Sequence, residues 1–129
     1  PMRFFAPVIF KILEKCRPSI SGLVHNTGGG QTKCLAIGEN IHYIKDDLLE
    51  VDPIFRLIQK ESREPWKNMF EDFNMGVGFE VVADPLEAEC LLSLSEAFGL
   101  EAKVIGRCEK SDRRNKLTIE SQFGTFEYR

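Results

Sequence analysis

His25, Thr27 and three consecutive glycines, Gly28, Gly29 and Gly30, stand in the stretch "LVHNTGGGQTKC", between an apolar run and a segment able to form a helix. Glycine costs roughly 0.5–1 kcal/mol against alanine inside regular structure, so three in a row require a reason. A strand, a glycine turn and a helix start together make a recurring anion site. Without Cβ atoms the backbone takes left-handed angles and a ligand can approach closely. The first amides of a helix lack partners within it and point outward. The helix dipole adds about 0.3–2 kcal/mol for a negative charge there. Thr27 and Gln31 offer further hydrogen bonds, and His25 offers a donor to phosphate or a group able to carry a proton. The competing reading is a tight turn packed against a sheet, and the three glycines alone leave both open. The spacing is neither a Walker loop, which needs a Lys-Ser/Thr pair, nor a dinucleotide G-x-G-x-x-G.

A second cluster lies in "FNMGVGFEVV", residues 73–82. Gly76 and Gly78 alternate at the expected start of a strand, which places both on one face. A strand face without side chains admits a close neighbour, either a substrate or a packed helix. Asn74 is placed to reach out from the strand's edge, with Met75 beside it.

The elements that must position these residues follow from periodicity. Residues 5–15 carry apolar positions at helical spacing, and Pro18 ends that helix. Ile20, Leu23 and Val24 lead a short strand into the glycines. A turn or two of helix is expected over residues 29–37, stopped by Gly38, and "IHYIK" reads as a strand. Asp52-Pro53 and Asp84-Pro85 are helix starts, with Glu87 completing a capping-box-like pattern at the second. Gly99 ends that second helix. Another helix begins at Pro65, with Trp66 and Phe73 as core anchors. "VGFEVVA", "AKVIGRCE" and "KLTIES" read as strands, the last two expected to form a hairpin across the polar "KSDRRN". Phe123, Phe126 and Tyr128 mark a last short strand that completes the sheet or covers an interface. The fold class is α+β: a mixed, largely antiparallel sheet with helices packed on it.

Composition narrows the function classes. The chain has 129 residues, 43% hydrophobic and 29% charged, which fits one soluble domain. A net charge of -3 argues against a nucleic-acid or anionic-membrane partner. No apolar run approaches the roughly 20 residues of a membrane span, and no signal peptide is visible. Cys16, Cys34, Cys90 and Cys108 are far apart in sequence, so no C-x-x-C metal or redox pair exists. They read as reduced, mostly buried thiols of a cytoplasmic protein. His42 reads as a strand residue without a catalytic part. The acidic residues Asp46, Asp47, Glu50 and Asp52 read as solvated surface and caps, not metal ligands. The chain opens directly into the approach to a helix and is expected to be a piece of a longer protein.

Taken together, "GLVHNTGGGQTKCL", "DPIFRLIQ", "WKNMFEDFNMGVGFEVV" and "AKVIGRCE", in that order, closely resemble the C-terminal domain of the phosphoribosylformylglycinamidine cyclo-ligases, or aminoimidazole ribonucleotide synthetases. The resemblance runs over roughly residues 3–109, including the opening "FFAPVIFKILEK". Asp52-Pro53 stands where many members have Pro-Pro, and Asn26 sits where the family varies. The resemblance implies a three-layer α/β/α domain, the second of a two-domain subunit that dimerises mainly through its first domain. It implies ATP-driven closure of the imidazole ring of formylglycinamidine ribonucleotide in purine biosynthesis, with Mg²⁺ and ATP held mainly by the first domain. No cofactor is expected in this chain alone, and it should be inert by itself. The residues matching the family's cleft are His25, Thr27, Gly28, Gly29, Gly30 and Gln31, with Asn74, Met75, Gly76 and Gly78. The glycine loop is expected to hold a substrate phosphate or the transferring phosphoryl group, and His25 to make a polar contact or handle a proton. Two alternatives remain at this stage: a domain of a sibling ATP-dependent enzyme of the same superfamily, or a stand-alone module that binds phosphorylated ligands.

Overall fold

A computed structural model describes residues 5–129; the first residues of the chain, including Phe4 of the "FFAPVIF" opening, lie outside the described residues. Helix α1 (Ala6–Cys16) accepts Pro7 in its first turn and buries Val8, Ile12 and Cys16, one residue per turn along one face. A short 3-10 turn leads into β1 (Ile20–His25). The glycine loop then runs into a second 3-10 turn (Gly30–Ala36). Strand β2 (Ile41–Lys45) follows, then α2 (Pro53–Ser62) and α3 (Trp66–Asp72). The chain continues through β3 (Phe79–Ala83), α4 (Ala88–Ala97), β4 (Gly106–Lys110), β5 (Lys116–Ser121) and β6 (Gly124–Tyr128).

The strands form an antiparallel two-stranded ribbon, β1 with β3, and a four-stranded sheet in the order β4-β2-β5-β6. Within the larger sheet only β2 and β5 run parallel. The fold is therefore α+β with mixed, largely antiparallel sheets. The core gathers Val24, Cys34, Tyr43, Phe70, Leu117 and Ile119 between the strands, α3 and the 3-10 turn. Helix α1 packs against α4.

Several local expectations change. Strands β4 and β5 are not a hairpin, because β2 lies between them and pairs with both. The polar "KSDRRN" therefore crosses over β2 rather than turning tightly. The strand expected over "AKVIGRCE" is confined to β4. Residues 30–36 form a 3-10 turn, not an α-helix. Gly76 lies in a turn at φ +100° and β3 begins only at Phe79, so Gly76 and Gly78 are not alternating strand positions. Asp52 makes no side-chain cap on α2, and Glu87 makes none on α4. Asp84 does cap, accepting from the Leu86 amide at 2.9 Å. Gly99 takes the left-handed conformation after α4, at φ +72°. Of the four cysteines, Cys16 and Cys34 are buried, while Cys90 and Cys108 are exposed. The last aromatic segment does complete the sheet as β6. Phe123 stacks on Trp66, ring centroids 3.7 Å apart and planes 8° apart.

Candidate functional site

The glycine loop is closed at both ends by its own backbone. The Thr27 amide donates to the His25 carbonyl at 2.9 Å, and the Thr32 amide to the Gly29 carbonyl at 3.0 Å. The Thr32 hydroxyl donates to that same carbonyl at 2.7 Å. Among the described residues no acceptor receives the Gly28 or Gly29 amide. Thr27, Gly28 and Gly29 are exposed. A Cβ at Gly28 would meet nothing within 4 Å.

Gly30 differs from its two neighbours. It is buried at φ +48°, and a Cβ there would stand 2.7 Å from the Phe70 carbonyl oxygen and 2.8 Å from that of Glu71. Both distances are shorter than any ordinary carbon contact. Gly30 is glycine because the backbone of α3 passes directly over it.

The two glycine-bearing stretches, far apart in sequence, interlock. The Asn26 amide donates to the Gly78 carbonyl at 2.9 Å, and the Asn26 side-chain nitrogen to the Val77 carbonyl at 2.9 Å. The Gln31 side-chain nitrogen donates to the Asn74 carbonyl at 2.5 Å. The Asn74 side-chain oxygen accepts from the Gly76 amide at 2.9 Å, closing the turn that holds Met75 at φ +54°. Met75 and Gln31 are buried, and Asn74 is half-buried. The Oδ1 of Asn26 is buried without a hydrogen-bond partner among the described residues.

Beneath this junction lies a buried ion pair. Lys45, at the end of β2, pairs with Glu80 of β3, and both are almost wholly removed from solvent. The Lys45 Nζ also donates to the Gln31 backbone oxygen at 2.9 Å and to its Oε1 at 2.8 Å. Lys45 thus has Glu80 and two Gln31 oxygens as partners, whereas the buried Glu80 Oε1 has no partner among the described residues beyond Lys45 itself, so the carboxylate depends on that one cation. Cys34 packs alongside, and burial pushes its thiol up to about 11 despite the opposing Lys45 charge. Tyr43, two residues before Lys45, is pushed up to about 12 by burial and donates to the Ile37 carbonyl at 2.8 Å.

His25 is exposed at the end of β1, opposite Phe79. Its ring meets Phe5 edge-on at 5.7 Å and lies 5.6 Å from Phe79. It therefore flanks the loop on an aromatic bed. Reasoning from sequence missed Lys33, whose Nζ donates to the Thr27 hydroxyl at 3.1 Å. The signal was present: in a 3-10 turn residues three apart eclipse, so Lys33 shares the edge of Gly30. It also missed Lys45, although period two along "HYIK" puts Lys45 on the inward face with Tyr43.

An apolar groove of about 710 Å³ opens beside the ion pair, lined by Val8 and Ile12 of α1, Leu92 of α4, Ile44 of β2 and Val81 of β3. His42 bonds Thr118 across β2 and β5 at 2.8 Å, away from the loop. Asp46 and Asp47 are exposed and paired with Arg107 and Lys103. No helix among the described residues is long and apolar enough to cross a membrane.

An α+β domain with an exposed glycine loop held over a buried ion pair is the class that fold and geometry define. Comparison with known proteins then places the chain. The model of the family "AIR synthase related protein, C-terminal domain" matches residues 11–116, and the chain belongs to that family. It is 34% identical over 123 residues to the phosphoribosylformylglycinamidine cyclo-ligase of Methanococcus vannielii, covering 95% of this chain and 33% of the relative. It is 35% identical over 115 residues to the cyclo-ligase of Fusobacterium nucleatum, covering 87% of this chain and 33% of the relative. The chain thus spans about a third of the length of the curated relatives it matches. The crystal structure of E. coli HypE, a hydrogenase maturation protein, has the same fold, with a TM-score of 0.64 at 18% identity over 98% of this chain and 39% of that one.

Proposed function

We propose that this chain is the C-terminal domain of a two-domain phosphoribosylformylglycinamidine cyclo-ligase of purine biosynthesis. The whole enzyme closes the imidazole ring of formylglycinamidine ribonucleotide with ATP, giving aminoimidazole ribonucleotide, ADP and phosphate. The observation that carries the reading is the agreement of the family match with likeness, over nearly the whole chain, to cyclo-ligases three times as long.

In this reading the loop meets an oxyanion through backbone amides. Gly28 and Gly29 present theirs outward, Lys33 supplies a positive charge, and Thr27 adds a hydroxyl. Gly30, Gln31, Asn74, Met75, Gly76 and Gly78 hold the loop in place. His25 stands at the rim, where it could touch substrate. A micromolar ligand needs about 8 kcal/mol, and a few bonds to a charged group at roughly 1.5–3 kcal/mol each fall short. The preceding domain would supply the rest and cover the apolar groove.

Mg²⁺ requires converging oxygen ligands. Among the described residues the one group of three or more potential ligands is Cys16, Glu87 and Cys90, which is too rich in sulfur for that ion. The residues here do not fit the magnesium of this reaction. In this reading its binding, with that of ATP and the dimer contact, belongs to the preceding domain, and the whole enzyme works in the cytoplasm.

The test is ring closure measured on the two-domain subunit containing this chain, and on the chain alone. Turnover by the first and none by the second is expected. A folded two-domain protein that binds the nucleotide yet never closes the ring would overturn the reading.

A further inference from the structure

Cys16 and Cys90 are 74 positions apart, yet their sulfurs stand 3.4 Å from each other where the end of α1 meets the first turn of α4. Glu87 precedes α4 and lies one turn before Cys90. One ligand atom from each of the three residues falls within 4.8 Å of the others. From this geometry we propose that Cys16, Glu87 and Cys90 form a binding site for a zinc-class divalent cation, two thiolates and one carboxylate with solvent in the fourth position.

The spacing favours a metal over a disulfide. A disulfide brings its sulfurs to about 2.05 Å. Two thiolates on one tetrahedral zinc, each about 2.3 Å from the ion, stand about 3.8 Å apart. The observed 3.4 Å is much nearer the second, and both thiols are free. The donor set selects the ion: thiolates suit zinc-class metals, whereas calcium and magnesium take oxygen.

The place in the fold gives the site a consequence. Cys16 ends α1, and the helix is about 16 Å long, so the site is at the far end from Phe5 and His25. It joins α1 to α4, two helices that line the apolar groove. A bound ion would therefore tie down the groove's helical wall and raise stability by mass action. None of these residues belongs to the glycine loop, so the proposal stands or falls separately from the proposed reaction.

The test titrates the reduced, chelator-treated chain with Co²⁺, which reports thiolate ligands by charge-transfer absorption and tetrahedral geometry by its visible bands. One equivalent is expected to give both signals, and Zn²⁺ to displace it. Cys90→Ser, at an exposed position and therefore safe for folding, should abolish the charge-transfer band or halve it with at least a tenfold loss of affinity. Glu87→Gln should weaken binding about tenfold. Cys108→Ser should leave both signals unchanged. Zn²⁺ should also raise Tm in the wild type and not in Cys90→Ser. Absence of any thiolate band at a hundredfold excess of Co²⁺ would overturn the proposal. So would an undiminished band in Cys90→Ser, which would put the metal elsewhere. A reduced chain that takes up no metal but forms a Cys16–Cys90 disulfide with oxidised glutathione would also overturn it.

Discussion

Gln31 donates its side-chain amide to the backbone carbonyl of Asn74 across 2.5 Å, joining two glycine-bearing segments 43 positions apart. The same side chain accepts from Lys45 at 2.8 Å. One buried residue thus ties the glycine loop to the second motif and to the ion pair beneath. The loop's exposed amides owe their position to that junction.

The three glycines should respond differently to substitution. Gly30→Ala forces a Cβ against carbonyl oxygens of α3 at positive φ and should destabilise by about 3 kcal/mol. Gly28→Ala enters open space and should change stability by no more than about 0.5 kcal/mol. Urea denaturation of the two variants measures the contrast, and equal effects would refute the division of roles.

The Lys45–Glu80 pair should behave as a unit. Lys45→Met leaves a buried carboxylate and two Gln31 acceptors without their cation, and should cost about 3–5 kcal/mol. Replacing both residues, Lys45→Met with Glu80→Leu, should cost clearly less than the sum of the single changes. A double-mutant cycle reads the difference, and simple additivity would show the pair is not coupled.

Alkaline pH should weaken the fold through Cys34. The folded thiol keeps its proton up to about 11, against an ordinary value of 9.0. Between these values the unfolded chain binds fewer protons than the native one, so stability falls as pH rises. It is fully present below pH 9 and lost through about pH 11. The loss amounts to about 2–3 kcal/mol. Cys34→Val should remove that part of the slope and leave the later loss caused by Tyr43. Denaturation curves between pH 8 and 11 decide; the same slope in the variant would assign it to other groups.

Asn115 should matter more than its place after a polar loop suggests. Its side-chain nitrogen donates to the carbonyls of Leu35, Ile37 and Gly38, each at 3.0 Å, and its oxygen accepts from the Ile41 amide at 2.9 Å. Asn115→Ala should cost about 2–3 kcal/mol, several net hydrogen bonds together. Thermal unfolding of this variant beside Asp112→Ala, a change at a nearby exposed position, provides the comparison. A loss no larger than that of Asp112→Ala would mean solvent replaces these bonds.

The apolar periodicity of α1 was legible, because burial of one face is written directly into residue type. The order of the strands was not. "KSDRRN" looks like a hairpin tip, yet β2 from 60 residues earlier enters between β4 and β5, and no local signal encodes that insertion. The glycine loop was visible as a loop. That Gly30 is demanded by α3, while Gly28 meets open space, required the packing of residues 40 positions away. The meeting of Cys16 with Cys90 was hidden for the same reason: helices α1 and α4 touch only in the tertiary structure.

The most direct measurement is kcat/KM for ring closure by the two-domain subunit carrying Gly28→Val, beside its thermal stability. A Cβ at this position meets nothing within 4 Å, so the branched side chain of valine is expected to leave the fold intact while adding bulk beside the loop's unpaired amides. A fall of at least a hundredfold, about 2.7 kcal/mol of transition-state stabilisation, with Tm unchanged, is the expected result. Wild-type kcat/KM in the variant would contradict a loop that receives an oxyanion.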